Sequence, residues 1–138
     1  MKVVLDTNVL ISGIFFAGSP SKILDEWNKG TIEFVLSPEI LREYTRVAGI
    51  LSTIYPKIDI NHIINHISSN SEMISTSPLS EQICDDPDDD MFLACALSSK
   101  CMIVISGDKH LLKQTGYQKV VVLTPKLFIE KYLIDPIK

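Results

Sequence analysis

The chain reads as an α/β protein of three layers, α/β/α, built on a central parallel sheet of about five strands. Three observations predict this. Short runs at 3–5, 32–36, 101–106 and 120–123 are apolar on both faces apart from Glu33 and Ser106 and rich in β-branched residues, as strands covered on both sides must be. Segments with apolar residues at helical spacing separate those runs, the order that gives crossover helices and a parallel sheet. No repeat, linker or shift in composition divides the chain, so residues 1–138 read as one domain.

Val3-Val4-Leu5 is the first strand, stopped by Asp6. Residues 8–16, "NVLISGIFF", follow as a helix or helical turn closed by Gly18 and Pro20. In "SKILDEWNKG" Ser19 or Ser21 can cap a helix, Ile23, Leu24 and Trp27 form its apolar stripe, and Gly30 stops it. Ile32 to Leu36 returns to strand. "SPEILREYTRVAG" has Ser37 to cap, Pro38 at the first helical position, Glu39 in the first turn and Gly49 at the expected end. Ile60, Ile63, Ile64 and Ile67 give the next helical period, and the Ser-rich stretch 68–81 reads as a loop with a short extended piece at Met73-Ile74. A helix over 90–99, a strand in "CMIVIS", a short helix in "DKHLLKQ", a strand in "VVVL" and a helix in "TPKLFIEKYL", capped by Thr124 with Pro125 behind it, complete the alternation.

Hydrophobic residues at 46% and charged residues at 22% are the balance of a globular chain with its own core. No apolar run approaches the ~20 residues of a membrane span, and the first ends at Asp6, too early for a signal-peptide core. Cys84, Cys95 and Cys101 are odd in number, lack C-x-x-C spacing and read as small hydrophobes of a reducing compartment. A cytoplasmic protein with no membrane association is expected. The net charge of -4 excludes coating of nucleic acid by charge alone, though not an enzyme that acts on it.

Carboxylates stand where solvation does not explain them. Asp6 directly follows the first strand, and Asp108 follows the strand at 102–105 through Ser106 and Gly107. Ligands of open α/β sheets sit at the carboxyl ends of strands, so both acids are at the usual site of chemistry, although each also suits a helix cap. Glu43 falls in phase with Ile40, Tyr44 and Val47, on or beside the apolar stripe of its helix. It reads as a metal ligand or as a boundary glutamate paired with a lysine, because a buried carboxylate needs a partner.

Asp90 opens a helix in phase with Leu93, Ala94 and Leu97, so its side chain is expected along the buried face. Five of the six residues from Asp85 to Asp90 are aspartates. Two unit charges about 4 Å apart at an effective dielectric of about 20 repel by ~4 kcal/mol, more than the ~1–2 kcal/mol a helix dipole returns. A divalent cation can offset the difference, and an all-oxygen donor set suits Mg²⁺ or Mn²⁺ over Zn²⁺. Asp85, Asp88 and Asp89 read as solvated loop and cap residues, with Asp90 carrying the chemistry.

"VVLDTNVLISG", the glutamate of "SPEILREY", "DPDDDMFLACAL" and "VISGDKHLL", in that order, make the chain resemble the PIN-domain ribonucleases, and more narrowly those known as toxins of toxin–antitoxin systems. The resemblance implies a PIN-like parallel sheet with an acidic pocket at its strand ends. Carried over by position, the catalytic and metal-binding acids are Asp6, Glu43, Asp90 and Asp108, supported by Asn8 and Ser106, with Asp86 or Asp89 assisting only through water. It implies one or two Mg²⁺ or Mn²⁺ ions, hydrolysis of RNA, a cognate antitoxin as partner and homodimers, for which Phe15, Phe16 and Trp27 offer an apolar patch unless they join the core. Lys109, His110 and Lys113 are candidates for the RNA backbone or form an exposed helix face. A dehalogenase-type phosphatase needs a second acid where Asn8 stands, and a receiver domain needs adjacent acids where Thr7 follows Asp6. The remaining alternative is a catalytically silent PIN module that binds RNA or protein.

Overall fold

In a computed structural model, described over residues 1–133, the strands are β1 (Lys2–Leu5), β2 (Glu33–Leu36), β3 (Glu72–Met73), β4 (Ile103–Ile105) and β5 (Val121–Leu123). Residues 134–138, which the single-domain reading also covers, lie outside the described part. All four pairings are parallel, in the order β3-β2-β1-β4-β5. The register sets Val3 beside Phe34, Val4 beside Val104 and Leu5 beside Ile105. Val3, Val4, Leu5, Phe34, Val35, Leu36, Val104 and Ile105 are all buried, on both faces of the sheet. That double burial is what the continuous apolar runs require.

The chain moves outward from β1 to β2 and β3, then returns to the other side of β1 for β4 and β5. The strand order reverses between β1 and β4, which opens a crevice at their carboxyl ends.

Among the described residues seven α-helices cover the sheet: α1 (Thr7–Phe15), α2 (Ser19–Asn28), α3 (Pro38–Ile54), α4 (Ile60–Ser69), α5 (Asp90–Ser99), α6 (Lys109–Leu112) and α7 (Pro125–Phe128), the last running on into a wider π-type turn over Ile129–Leu133. α5 crosses β1, β2 and β4, α3 packs on α4 and α5, and α2 on α1 and α7. Ser37 caps α3 by accepting the Ile40 N–H at 3.2 Å, and Thr124 caps α7 from Leu127. Gly30, at φ +83°, ends α2 as expected.

Two boundaries differ from expectation. α3 passes through Gly49 to Ile54, because Leu51 beyond the glycine packs against the core and outweighs a helix-propensity cost of ~1 kcal/mol. β4 is shorter than "CMIVIS", since Lys100 and Met102 adopt left-handed backbone at φ 62° and 64°. Of the three aromatics considered for a dimer patch, Trp27 leaves it to stack on Phe34, while Phe15 packs against Tyr55 and stays beside Phe16, which is 69% exposed. Among the described residues no helix is long and apolar enough to cross a membrane, and the three cysteines are unpaired, with Cys84 and Cys95 buried.

Candidate functional site

β1 ends at Leu5 and delivers Asp6 into the crevice. Asp6 makes no side-chain cap for α1. Its Oδ2 instead accepts the Ser106 hydroxyl at 2.6 Å, and the same hydroxyl accepts the Asp108 N–H at 3.0 Å. Ser106 is fully buried, so one hydroxyl ties the acid after β1 to the loop after β4. Asp108 does cap α6, accepting the His110 N–H at 2.8 Å, while its side chain also faces the crevice. Behind them the buried Tyr44 donates its hydroxyl to the carbonyl of Leu5, bracing the end of β1 from α3.

The crevice is a recess of ≈ 200 Å³ lined by Asp6, Glu43, Asp86, Asp88, Asp89 and Asp108, with Thr7, Asn8, Arg46, Met91 and Phe92 completing it. Of the predicted site residues, Asp6, Asn8, Glu43 and Asp108 meet here, and Ser106 supports them from behind. Glu43 is bound to a cation, Arg46 rather than the expected lysine: Oε1 to Nη2 is 2.7 Å and Oε2 to Nε 3.1 Å. They sit one turn apart on α3, so the pairing is local.

Asp90 departs from the expectation. Its Oδ1 accepts the Cys84 N–H at 2.7 Å and its Oδ2 the Ile83 N–H at 3.0 Å. It faces a different depression, with Glu39, Thr76 and Leu79. The reason is local. Residues Ile83 and Cys84 approach the first turn of α5 with their amides unpaired by any strand, and the carboxylate that opens the helix turns back to accept them.

Asp89, expected as a solvated cap residue, is half-buried in the recess wall, while Asp86, exposed at the rim, caps the turn before α5 by accepting the Asp88 N–H at 2.9 Å. A 3-10 turn over Pro87–Asp89 precedes α5, and residues three apart in such a turn are eclipsed. Asp86 and Asp89 are three apart, with Pro87 at the turn's first position; that spacing was the signal available in the sequence.

Burial raises the Asp6 carboxyl above its ordinary value and Asp108 adds to the rise, against the Ser106 hydrogen bond. Burial, then the charges of Asp108 and Asp6, push Asp89 up to about 6. The recess thus holds more negative charge than Arg46, the one cation among its described lining residues, can offset. Lys109 is exposed at the start of α6. His110 and Lys113 turn to Asp85, with Nδ1 at 2.9 Å and Nζ at 3.0 Å from its Oδ2. Lys113, then His110, holds the Asp85 carboxyl below the usual carboxylate range.

The donor set fits a hard divalent cation. It is carboxylate oxygen throughout, and the hydroxyl of Thr7, 5% exposed at the recess wall, has no hydrogen-bond partner among the described residues. No three His, Cys, Asp or Glu side chains among the described residues close on one point tightly enough to enclose an ion directly. Mg²⁺ needs no such cage, since it keeps several waters and takes one or two carboxylates directly.

A parallel sheet in this strand order with an acidic recess at its switch point is a doubly wound α/β domain with its polar site at the strand ends. The family model described as "PIN domain" matches residues 2–110, and the chain belongs to that family. PIN domains are generally nucleases that use divalent metals. The chain is also 35% identical over 149 aligned positions to "Uncharacterized protein MJ1680" of Methanocaldococcus jannaschii, an alignment covering 96% of this chain and 92% of that protein.

Proposed function

We propose that the protein is a metal-dependent ribonuclease that hydrolyses phosphodiester bonds in the recess formed by Asp6, Glu43, Asp89 and Asp108. The observation that supports this best is the convergence of six carboxylates on one ≈ 200 Å³ recess at the switch point, with Asp6 only 6% exposed. So many acids gathered without matching cations are a standing cost to the fold unless a cation completes them. Asp6, Asp89 and Asp108 would hold one or two Mg²⁺ or Mn²⁺ ions, with Glu43 joining when Arg46 releases it. Bound there, such an ion activates water and neutralises charge on the phosphate.

The remaining work belongs to the chain. Ser106, donating to Asp6 Oδ2, fixes the rotation of this carboxylate in the recess wall. Asp108 is held by its cap on α6, so the two strand ends present their oxygens in a fixed relation. Asn8, exposed at the rim, and Thr7 supply neutral polar groups for a water or a phosphate oxygen. Arg46, freed from Glu43, supplies a guanidinium to the substrate's phosphates. Asp90 is a brace that holds residues 83–84 against α5, not a ligand. In the cell, such an activity suits the toxin of a toxin–antitoxin pair acting in the cytoplasm, a role supported by the sequence motifs.

The test is cleavage of a mixed RNA pool by wild type, Asp6→Asn and Asp89→Asn with Mn²⁺, Mg²⁺ or EDTA. Only metal-loaded wild type should cut, and its expression should slow growth where the variants do not. The Glu43–Arg46 pair favours one second reading, a silent RNA-binding module in which Glu43 is permanently engaged. Wild type that binds RNA without cutting, with an affinity Asp6→Asn leaves unchanged, would establish that reading instead.

A further inference from the structure

Beside the acidic recess lies a second, larger depression of ≈ 810 Å³, within the size range of small-molecule sites. Pro38, Leu41 and Met73 give it apolar walls, and Arg42, Thr45 and Arg46 complete it. Positions 41, 42, 45 and 46 lie on one face of α3, and Met73, 44% exposed, ends the edge strand β3. Arg46 lines both depressions, so the groove and the recess lie side by side with one wall residue in common. Although the chain carries a net charge of -4, the described lining of the groove has two arginines and no acid, with Arg46 paired to Glu43 on the side of the recess. Arg42 meets Glu39 only at 3.9 Å, with its own side chain 75% exposed.

We propose that this groove receives an unpaired nucleobase next to the scissile phosphate of a single-stranded RNA, with Arg42 and Arg46 engaging the backbone or stacking on the base. The inference rests on the ribonuclease reading of the neighbouring recess. A base brings an apolar face and a flanking negative charge, and the groove offers an apolar wall flanked by guanidiniums, whose planes themselves stack on bases. A base held in a duplex cannot enter, so the groove selects single strands. A peptide adding to the sheet edge is the poorer fit. β3 is two residues long, and Glu72 in it is paired with Lys2 at 2.6 Å, which leaves little backbone ladder to extend.

The experiment measures kcat/KM with Mn²⁺ on a short single-stranded RNA, on the same strand in a duplex, and on a base-free ribose-phosphate strand of equal length. Wild type should cut the intact single strand about tenfold better than the base-free one, the discrimination expected from holding one base. Met73→Glu, or independently Thr45→Glu, should bring that ratio toward one. The base-free strand carries the same charge, so the ratio removes any general repulsion by the new carboxylate. Equal cutting of intact and base-free strands by wild type overturns the groove assignment, as does an unchanged ratio in both variants. Cleavage of none of the three strands overturns the ribonuclease reading itself, and the groove assignment falls with it.

Discussion

Replacing Asp89 and Asp90 one at a time, each by asparagine, should change stability in opposite directions. Asp90 accepts two backbone N–H groups, from Ile83 and Cys84. Asparagine keeps one carbonyl oxygen but turns its own NH₂ toward the second amide. The loss is about one charge-assisted hydrogen bond plus an unpaired amide, roughly 2–3 kcal/mol. Unfolding entropy near 2 cal/mol/K per residue gives about 0.3 kcal/mol/K for 138 residues. Asp90→Asn should therefore lower Tm by about 8 °C, while sparing Mn²⁺ binding and much of the cleavage.

Asp89 behaves oppositely. Its folded pKa of about 6 lies above the ordinary 3.8. The folded protein binds the extra proton between those values, so stability falls as pH rises through the window from 3.8 to about 6 and stays reduced above it. The shift taken whole is about 3 kcal/mol, but Asp89 is open enough to water that about 1 kcal/mol is the better figure. Asp89→Asn should thus raise Tm by about 3 °C at pH 8, have no effect at pH 3.5, and abolish metal-dependent cleavage. Thermal melts across pH, isothermal titration with Mn²⁺ and the cleavage assay read all three. An Asp90→Asn protein that keeps its Tm but loses Mn²⁺ binding would falsify the assignment of the two aspartates.

Two further outcomes follow from the geometry. Ser106→Ala removes the donor to Asp6 Oδ2 and the acceptor of the Asp108 amide; it should cost about 1–3 kcal/mol in denaturant melts and move the acidic limb of the cleavage profile to higher pH, because Asp6 loses the bond that opposes its raised pKa. Gly13→Ala should destabilise by about 1–3 kcal/mol, since a Cβ there falls 2.7 Å from Leu24 Cδ1 and 2.9 Å from the Pro20 carbonyl. Gly49→Ala meets nothing within 4 Å in the middle of α3 and should stabilise by about 0.5–1 kcal/mol, so the pair of melts separates helix propensity from the close approach of α1 and α2.

The sheet was legible because its strands are buried on both faces, and Val3 to Leu5 or Phe34 to Leu36 permit few other readings. Asp6 and Asp108 were legible for a related reason: a charged residue that ends a fully apolar strand has its position set by the strand. Glu43 was placed correctly by helical phase, but phase cannot report Arg46, whose pairing depends on rotamers. The aspartate run was misread at one position. Phase counted from Asp90 assumes a regular helix from its first residue, while the preceding 3-10 turn and the free amides of Ile83 and Cys84 decide which carboxylate faces inward. Side-chain choices of that kind depend on backbone groups distant in phase, which periodicity does not encode. The groove shared by α3 and β3 depends on a strand of two residues, too short to announce itself in a Ser-rich stretch.

Ser106 and Asp6 are 100 positions apart in the chain, yet one hydroxyl joins them. On a ribosome making the protein from its first residue, Asp6, Glu43 and Asp89 all emerge before the strand that seats Ser106 and Asp108. A growing chain can form β1, β2 and their helices and still lack one wall of the acidic recess. Closure waits for β4 to dock beside β1. On the ribonuclease reading proposed above, activity in this recess waits for β4, which follows Asp6, Glu43 and Asp89 in the chain.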